Sequence, residues 1–294
     1  MKYTRMIAVR LSLVLLVCML LNLAIPARAA EHNNDLDLPQ NMRVGYSVGC
    51  ANRLEGDVFV LAIYLDDEVS HWTQEEVDAF NETQLIPSLE FVENNAAEWD
   101  VDLTIHASYH ASCSSPDRPA VYRGIIEDFQ NGVISEEILE EAAYAMGFSS
   151  AYEMHMELKE FVDMDQIAYL LMVDRPGISY SMNYTRFQGS DWTGEDELEY
   201  SVVFSSYPNY SNPEYNTPVA HEFLHLFGAE DYYYPDNRAA LAKRYYPNDI
   251  MLGNEIALKN NTMDDYTAYT LGWTDTVPPV CQNPDWWDNC DDYS

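Results

Sequence analysis

The stretch His221-Glu-Phe-Leu-His225-Leu-Phe-Gly228-Ala-Glu-Asp231 is the most informative part of this 294-residue chain. On a helix, His221 and His225 lie one turn apart on the same face. Two imidazoles at that spacing can hold one zinc ion, and Glu222 beside them can take a proton from a water at the metal. Gly228 ends the helix and turns the chain back, which brings Asp231 toward the histidines. The pattern predicts one catalytic zinc site with Asp231 as the third ligand.

The third ligand has competitors in the sequence. Glu230 adjoins Asp231 and offers another carboxylate, while Asp264 or Asp265 on a later helix is the remaining alternative. The spacing after Gly228 favours Asp231. Three protein ligands and a water suit a catalytic zinc, whereas a structural zinc usually has four protein ligands. A chance His-Glu-x-x-His pattern is expected in about one in a hundred chains of this composition.

The motif at residues 221–231 resembles the zinc signature of the metzincin metallopeptidases, and Asp in its last position is similar to the snapalysin type. Downstream, Asn248-Asp-Ile-Met251-Leu-Gly253 resembles the methionine turn of that clan, with Met251 as its methionine. The order of expected strands and helices is also similar over about residues 58–273. The resemblance implies a zinc endopeptidase whose edge strand, here about 178–184, pairs with an extended peptide substrate.

Hydrophobic patterns predict an α/β (α+β) fold with a mixed, mostly parallel twisted sheet. With the resemblance, this becomes a zincin-type fold with an active-site helix, a Met-turn, a C-terminal helix and a helical insertion. Strands are expected at 57–64, 101–109, 167–173, 178–184 and 200–205. The first and third are continuous apolar runs, which are typical of strands buried on both faces.

Three helices carry recognisable signals. The capping-box pattern Thr73-Gln-Glu-Glu76 starts a helix that runs to about residue 99, with a break near Pro87. The zinc helix is expected at 217–227. A second capping-box-like pattern, Thr262-Met-Asp-Asp265, starts the last helix, which ends at Gly272.

The chain divides into four expected parts. They are a signal peptide at 1–29, an N-terminal leader at 30–56, a catalytic domain at 57–275 and a C-terminal tail at 276–294. A helical insertion at about 114–165 interrupts the catalytic domain, and the spacing of Ile125, Ile126 and Phe129 indicates that its helical part begins early. The zinc signature does not explain this insertion, which is expected to form a subdomain or a lid.

The first 29 residues have the pattern of an export signal. A basic start is followed by an apolar run at 11–25 and by small residues that fit cleavage after Ala29. As a helix, the apolar run reaches only about 22 Å, short of the ~30 Å hydrocarbon core of a membrane. We therefore expect a secreted protein with no stable membrane association after cleavage.

The cysteines and paired acids of the mature chain are candidates for disulfide bonds and for a calcium site. Its four cysteines allow three disulfide pairings, of which Cys281–Cys290 together with Cys50–Cys113 is favoured. The acid pairs, which either bind a structural calcium ion or form a solvated acidic face, are Asp66-Asp67, Glu140-Glu141 and Asp291-Asp292.

Charge excludes one class of function. The chain has 49 acidic and 15 basic residues, a formal charge of −34, and four of the basic residues precede residue 30, so the mature charge is −38. Such a chain cannot form the basic surface that binds nucleic acid, and docking on anionic lipid is disfavoured as well. The sequence does not indicate an oligomeric state.

These observations predict a secreted, zinc-dependent endopeptidase that acts on a protein or peptide substrate with Glu222 as general base. The alternatives are a non-catalytic binding or adhesion protein on a metallopeptidase scaffold and a zinc hydrolase of a non-peptide amide. Glu222 favours an enzyme, because a binding site needs no base there. A tyrosine often assists the oxyanion in such sites, and the sequence does not choose among Tyr232, Tyr233, Tyr234, Tyr245 and Tyr246.

Overall fold

The computed structural model describes residues 46–129, 135, 137–186, 197–208, 217–253 and 257–287. The strands are β1 (Tyr46–Val48), β2 (Gly56–Leu65), β3 (Leu103–Ala111), β4 (Gln166–Pro176), β5 (Tyr180–Met182), β6 (Tyr184–Arg186) and β7 (Tyr200–Ser206). The α-helices are α1 (Gln74–Phe80), α2 (Ile86–Glu98), α3 (Ile138–Ala145), α4 (Ala151–Val162), α5 (Thr217–His225), α6 (Asp236–Tyr245) and α7 (Asp265–Thr270).

Five strands form the main sheet in the order β3-β2-β4-β7-β5. The first four are parallel to one another, and β5 runs antiparallel to β7 at the edge, with Tyr180 opposite Val202. The predicted mixed, mostly parallel sheet is therefore confirmed. The expected edge strand at 178–184 is split, because β6 leaves this sheet and pairs with β1 instead.

The central strands are apolar throughout because both faces of the sheet are covered. Along β2, Val60 and Tyr64 enter one hydrophobic core, whereas Ile63 and Leu65 enter the other. The first core contains the apolar sides of α1, α2 and α5, and the second contains those of α3 and α4. The expected insertion thus supplies the helices that bury the second face.

The start of the insertion differs from the prediction. Helical spacing at Ile125, Ile126 and Phe129 indicated a helix, but residues 121–129 form none. The backbone of this stretch instead follows the end of β2, where the Tyr122 N–H donates to the carbonyl oxygen of Asp66 at 2.9 Å. These long-range hydrogen bonds satisfy the backbone, so the local helical pattern is overridden.

The predicted capping box is confirmed at Thr73. Its side chain accepts from the Glu76 N–H, and the Glu76 carboxylate accepts from the Thr73 N–H at 2.8 Å. The expected break near Pro87 is a π-helical turn over Asn81–Leu85, after which α2 begins. The second capping box is absent: Asp264 is the N-cap of α7 and makes no side-chain cap bond.

Both ends of the described chain contribute to the core. Within the expected leader, β1 pairs with β6 and Leu54 is buried; within the expected tail, Val280 and Trp286 are buried. Helix α6, which the sequence analysis did not predict, begins directly after Pro235, its N-cap residue. The predicted signal peptide at 1–29 lies outside the described residues.

Cys50 and Cys281 are buried thiols and Cys113 is an exposed one, while Cys290 lies outside the described residues. The two disulfides remain predictions. Across the part of the chain that the structure describes, no helix is both long and apolar enough to span a bilayer.

Candidate metal centre

Helix α5 presents one buried face to the sheet and another to a cleft. Val219, Phe223 and Leu224 pack into the first core, which fixes the rotation of the helix. His221 and His225 then lie together on the cleft side, with their ring centroids 4.8 Å apart. The edge strand is tied to this helix, because Asn183 Nδ2 donates to the carbonyl oxygen of His225 at 2.7 Å.

The chain reverses directly after α5. Gly228 has a φ of 97°, a left-handed conformation that glycine adopts without steric cost. The returning segment is held by the Tyr232 N–H, which donates to the carbonyl oxygen of Met251 at 2.9 Å. This reversal places Asp231 opposite the two histidines.

Three side-chain atoms converge at this point. Asp231 Oδ1 lies 3.1 Å from His221 Nε2 and 3.3 Å from His225 Nε2, and the two Nε2 atoms are 3.2 Å apart. The Asp231 oxygen is buried and accepts no hydrogen bond of proper geometry, so both approaches are close contacts of potential ligand atoms. Among the described residues, these three are the one group of His, Cys, Asp or Glu side chains close enough together to hold a metal ion.

The hydrogen bonds of Nδ1 in His221 and His225 show which ring nitrogen carries the proton. His221 Nδ1 lies 3.0 Å from the carbonyl oxygen of Ile250, and His225 Nδ1 lies 2.7 Å from that of Ala229. A carbonyl oxygen only accepts, so each Nδ1 carries a proton and donates. In the neutral rings both Nε2 lone pairs then point at the same place, which is the arrangement that a metal requires.

The distances fit zinc. Tetrahedral zinc with nitrogen and oxygen ligands at ~2.0–2.1 Å has neighbouring ligand atoms about 3.3 Å apart. The observed edges of 3.1, 3.2 and 3.3 Å match that value. Two imidazoles and one carboxylate leave the fourth position open, as catalytic zinc sites do.

Without a cation, the same geometry perturbs all three groups. Burial by itself would lower the pKa of His225, but the Asp231 carboxylate outweighs it and raises that pKa to about 9. Burial would likewise raise the pKa of Asp231, yet the two histidines hold it well below its usual range. The cluster therefore attracts positive charge, either protons or a metal ion.

Glu222 lies beside this cluster with its side chain buried. Its Oε2 accepts a hydrogen bond of 2.8 Å from Ser181 Oγ, and its carbonyl oxygen accepts one of 2.9 Å from Ser201 Oγ. Burial raises the pKa of Glu222, although the nearby histidines and the Ser181 hydroxyl oppose the rise. The sequence analysis did not identify Ser181 or Ser201 as site residues. Their polar positions within the alternating patterns of β5 and β7 were the available signal.

The three other carboxylates considered as the third ligand interact with other residues. Glu230 Oε2 accepts from Arg238 Nη1 at 3.0 Å and from the Tyr266 hydroxyl at 2.8 Å. Asp264 Oδ2 accepts from the Thr262 hydroxyl at 3.2 Å, and Asp265 lies near Tyr246, where burial and this carboxylate raise the pKa of the tyrosine. The geometry thus brings Asp231 to the histidines, rather than any of the three alternatives.

Met251 is fully buried in the 3-10 turn Ile250–Leu252. Asp249 caps this turn by accepting from the Met251 N–H at 2.8 Å, and it also accepts from Thr267 Oγ1 at 2.9 Å. Because the carbonyl oxygen of Ile250 binds His221, the turn lies directly behind one of the two histidines.

Among the five tyrosines considered, Tyr233 lies beside His221 and Asp231. Its ring stacks on His221 with centroids 6.3 Å apart and planes 21° from parallel, and burial together with the nearby Asp231 carboxylate raises the pKa of Tyr233. Gly253 lies under the same ring, where a Cβ atom would come within 2.9 Å of it. Tyr232 is instead buried in the aromatic core with its hydroxyl on Thr267.

The acid pairs considered as calcium ligands or as a solvated acidic face make hydrogen bonds within the protein where the structure describes them. Asp67 accepts from three backbone amides and pairs with Arg175, and Asp66 accepts from the Trp72 N–H. Glu140 accepts from the Ala151 N–H. The pair Asp291-Asp292 lies outside the described residues.

The metal cluster opens into two adjoining cavities of about 490 and 320 Å³. Glu222 and Tyr233 line both cavities, as do Phe129, Ile178 and Ser179. No family model matches this chain, and no curated protein sequence does so either. The function must therefore be argued from the residues of this cleft.

Proposed function

We propose that this chain is a secreted, zinc-dependent endopeptidase of the metzincin-like zincin type. The observation that carries the proposal is the convergence of His221 Nε2, His225 Nε2 and Asp231 Oδ1 at mutual distances of 3.1–3.3 Å. That convergence lies next to a buried Glu222 in an open cleft. A purely structural site would not need a base there.

A zinc ion held by these three residues supplies an acidified water and polarises a carbonyl group. The chain's own residues then do the proton chemistry. Glu222 accepts the proton of the attacking water and passes it to the leaving amine. The Ser181 hydroxyl, 2.8 Å from Glu222 Oε2, keeps that carboxylate aimed at the cleft.

A peptide substrate is favoured by the position of β5. This strand is antiparallel to β7 at the edge of the sheet, and Ser181 and Asn183 tie it to the zinc helix. An extended peptide can add to such an edge through backbone hydrogen bonds, with the bond to be cut beside Glu222. Tyr233 is the residue we assign to stabilising the oxyanion.

The decisive test uses protein starting at Ala30, loaded with one equivalent of zinc and mixed with a diverse peptide library. Mass spectrometry of new termini reports cleavage. We expect internal cuts with the native protein, none with Glu222→Ala, and unchanged cuts with the exposed control Glu90→Ala.

Other results of this experiment would support one of the alternative functions or contradict the site itself. Zinc binding without Glu222-dependent cuts would favour the non-catalytic binding protein or the zinc hydrolase of a non-peptide amide. Product analysis with non-peptide amides would separate these two. If the protein bound no zinc, the proposed site itself would be wrong.

A further inference from the structure

The start of the insertion reaches the cleft through a single aromatic side chain. Phe129 is 62% exposed, which is unusual for a phenylalanine in a folded domain. It lines both cavities beside the metal cluster, together with Ile178, Ser179, Glu222 and Tyr233. Phe129 therefore lines the same two cavities as Glu222, the proposed general base.

The backbone that carries Phe129 is anchored at two places. The Ile126 N–H donates to Asp67 Oδ2 at 2.9 Å, and the same carboxylate pairs with Arg175. Three residues later, the Phe129 N–H donates to the carbonyl oxygen of Ile178 at 3.3 Å. An anchored backbone presents the ring without a large loss of conformational entropy on binding.

Three of the five residues that line both cavities are apolar or aromatic, and the other two are Ser179 and Glu222. Phe129 belongs to the insertion, Ile178 lies just before β5, and Tyr233 lies in the segment that follows Asp231. Arg238 lines the larger cavity, where it pairs with Glu230, and it does not line the smaller one. An anionic substrate side chain against the shared wall would lose hydration without gaining a cationic partner, because the residues common to both cavities include none.

We propose that Phe129 determines specificity by accepting an aromatic or large aliphatic side chain of the substrate next to the bond that is cut. This inference rests on the proposed peptidase function. It gives the insertion a second role besides covering the sheet, because the insertion contributes a residue to the substrate cleft.

The first test compares peptides that differ in one residue beside the cut. We expect the native protein to cleave peptides with Phe or Leu there at a kcat/KM about tenfold or more above that for Ala or Glu, which corresponds to burying part of one side chain. Phe129→Ala should abolish this ratio and Phe129→Leu should keep most of it. The control is Phe161→Ala, since Phe161 is 56% exposed on α4 and lines neither cavity.

The second test does not depend on turnover. Zinc-loaded Glu222→Ala protein is titrated with the same peptides carrying a fluorescent label, and the dissociation constants are compared with those of the double variant with Phe129→Ala. We expect the apolar peptides to lose about tenfold in affinity, while the Ala and Glu peptides change little.

The two proposals fail separately. Glu222-dependent cleavage whose side-chain preference survives Phe129→Ala would overturn the role of Phe129 and leave the peptidase standing. Phe129-dependent binding without cleavage would overturn the peptidase and leave the apolar subsite. Equal binding of all the peptides by the Glu222→Ala protein would overturn the subsite.

Discussion

His221 and Ile250 are joined by a hydrogen bond of 3.0 Å, in which the imidazole Nδ1 donates to the backbone carbonyl oxygen. The two residues are 29 positions apart, so this bond connects helix α5 to the turn that contains Met251. It fixes the tautomer of His221 and directs Nε2 toward Asp231. Local sequence therefore determines the helix that carries the two histidines, and tertiary contacts bring His221, His225 and Asp231 together.

The third ligand can be identified by amide substitutions. Asp231→Asn should weaken zinc binding by more than the roughly 10–100-fold seen when an outer-shell partner is removed, because a direct ligand loses its charge. Glu230→Gln and Asp264→Asn should stay within about tenfold of the native affinity, because neither carboxylate faces the histidines. Competition with a chelator of known affinity measures all three. Loss of zinc in Asp264→Asn with retention in Asp231→Asn would reverse the assignment.

Tyr233→Phe should separate catalysis from metal binding. Removing one oxyanion donor typically lowers kcat by about 10²–10³-fold. We expect a fall of at least about 100-fold, with zinc affinity close to native because the ring still stacks on His221. Tyr245→Phe is the matched control, since Tyr245 is exposed and lines neither cavity. If zinc affinity fell as much as kcat, Tyr233 would act only by orienting Asp231.

Arg238→Gln should destabilise the protein. The guanidinium is buried, donates from Nη1 to Glu230 and from Nε to the carbonyl oxygen of Trp286, and lies over the Trp286 ring. Breaking such a pair leaves its partners uncompensated, so we expect the free energy of unfolding to fall by about 3 kcal/mol. Urea denaturation measures the change.

The control for that experiment is on the same helix. Arg244 is exposed, so Arg244→Gln should change the free energy of unfolding by no more than about 0.5 kcal/mol. Equal effects of the two substitutions would show that the buried contacts of Arg238 are not stabilising.

Glu199 should make stability depend on pH. It is fully buried, and its carboxylate accepts from the Ala51 N–H at 3.1 Å and from the Tyr184 N–H at 2.9 Å. Burial raises its pKa from 4.5 to about 8 in the folded state. Between these values the folded protein keeps a proton that the unfolded chain has released, so the contribution to stability falls as the pH rises.

The measurement is the free energy of unfolding in urea at about pH 5 and pH 8, compared between the native protein and Glu199→Gln. The native protein should lose more stability over this interval, by at most about 1.4 kcal/mol per pH unit for one group. The exposed control Glu160→Gln should keep the native dependence. An identical pH dependence in Glu199→Gln would contradict the expected titration.

Short-range patterns in the sequence determined several features of this protein. The capping box at Thr73, the helical spacing of His221 and His225, and the reversal at Gly228 each depend on residues within a few positions of one another. The buried central strands were equally predictable, because a continuous apolar run is stable in a sheet only when both faces are covered.

Only the tertiary structure decided the features that depend on distant partners. Asp231 faces the histidines because Glu230 is engaged by Arg238, and Tyr233 lies at the cluster because Tyr232 is anchored in the aromatic core. Phe129 reaches the cleft because backbone hydrogen bonds to the segment after β2 and to Ile178 override its helical spacing. Adjacent residues of the same type have nearly the same local propensity, so long-range packing and hydrogen bonding determine which of them enters the site.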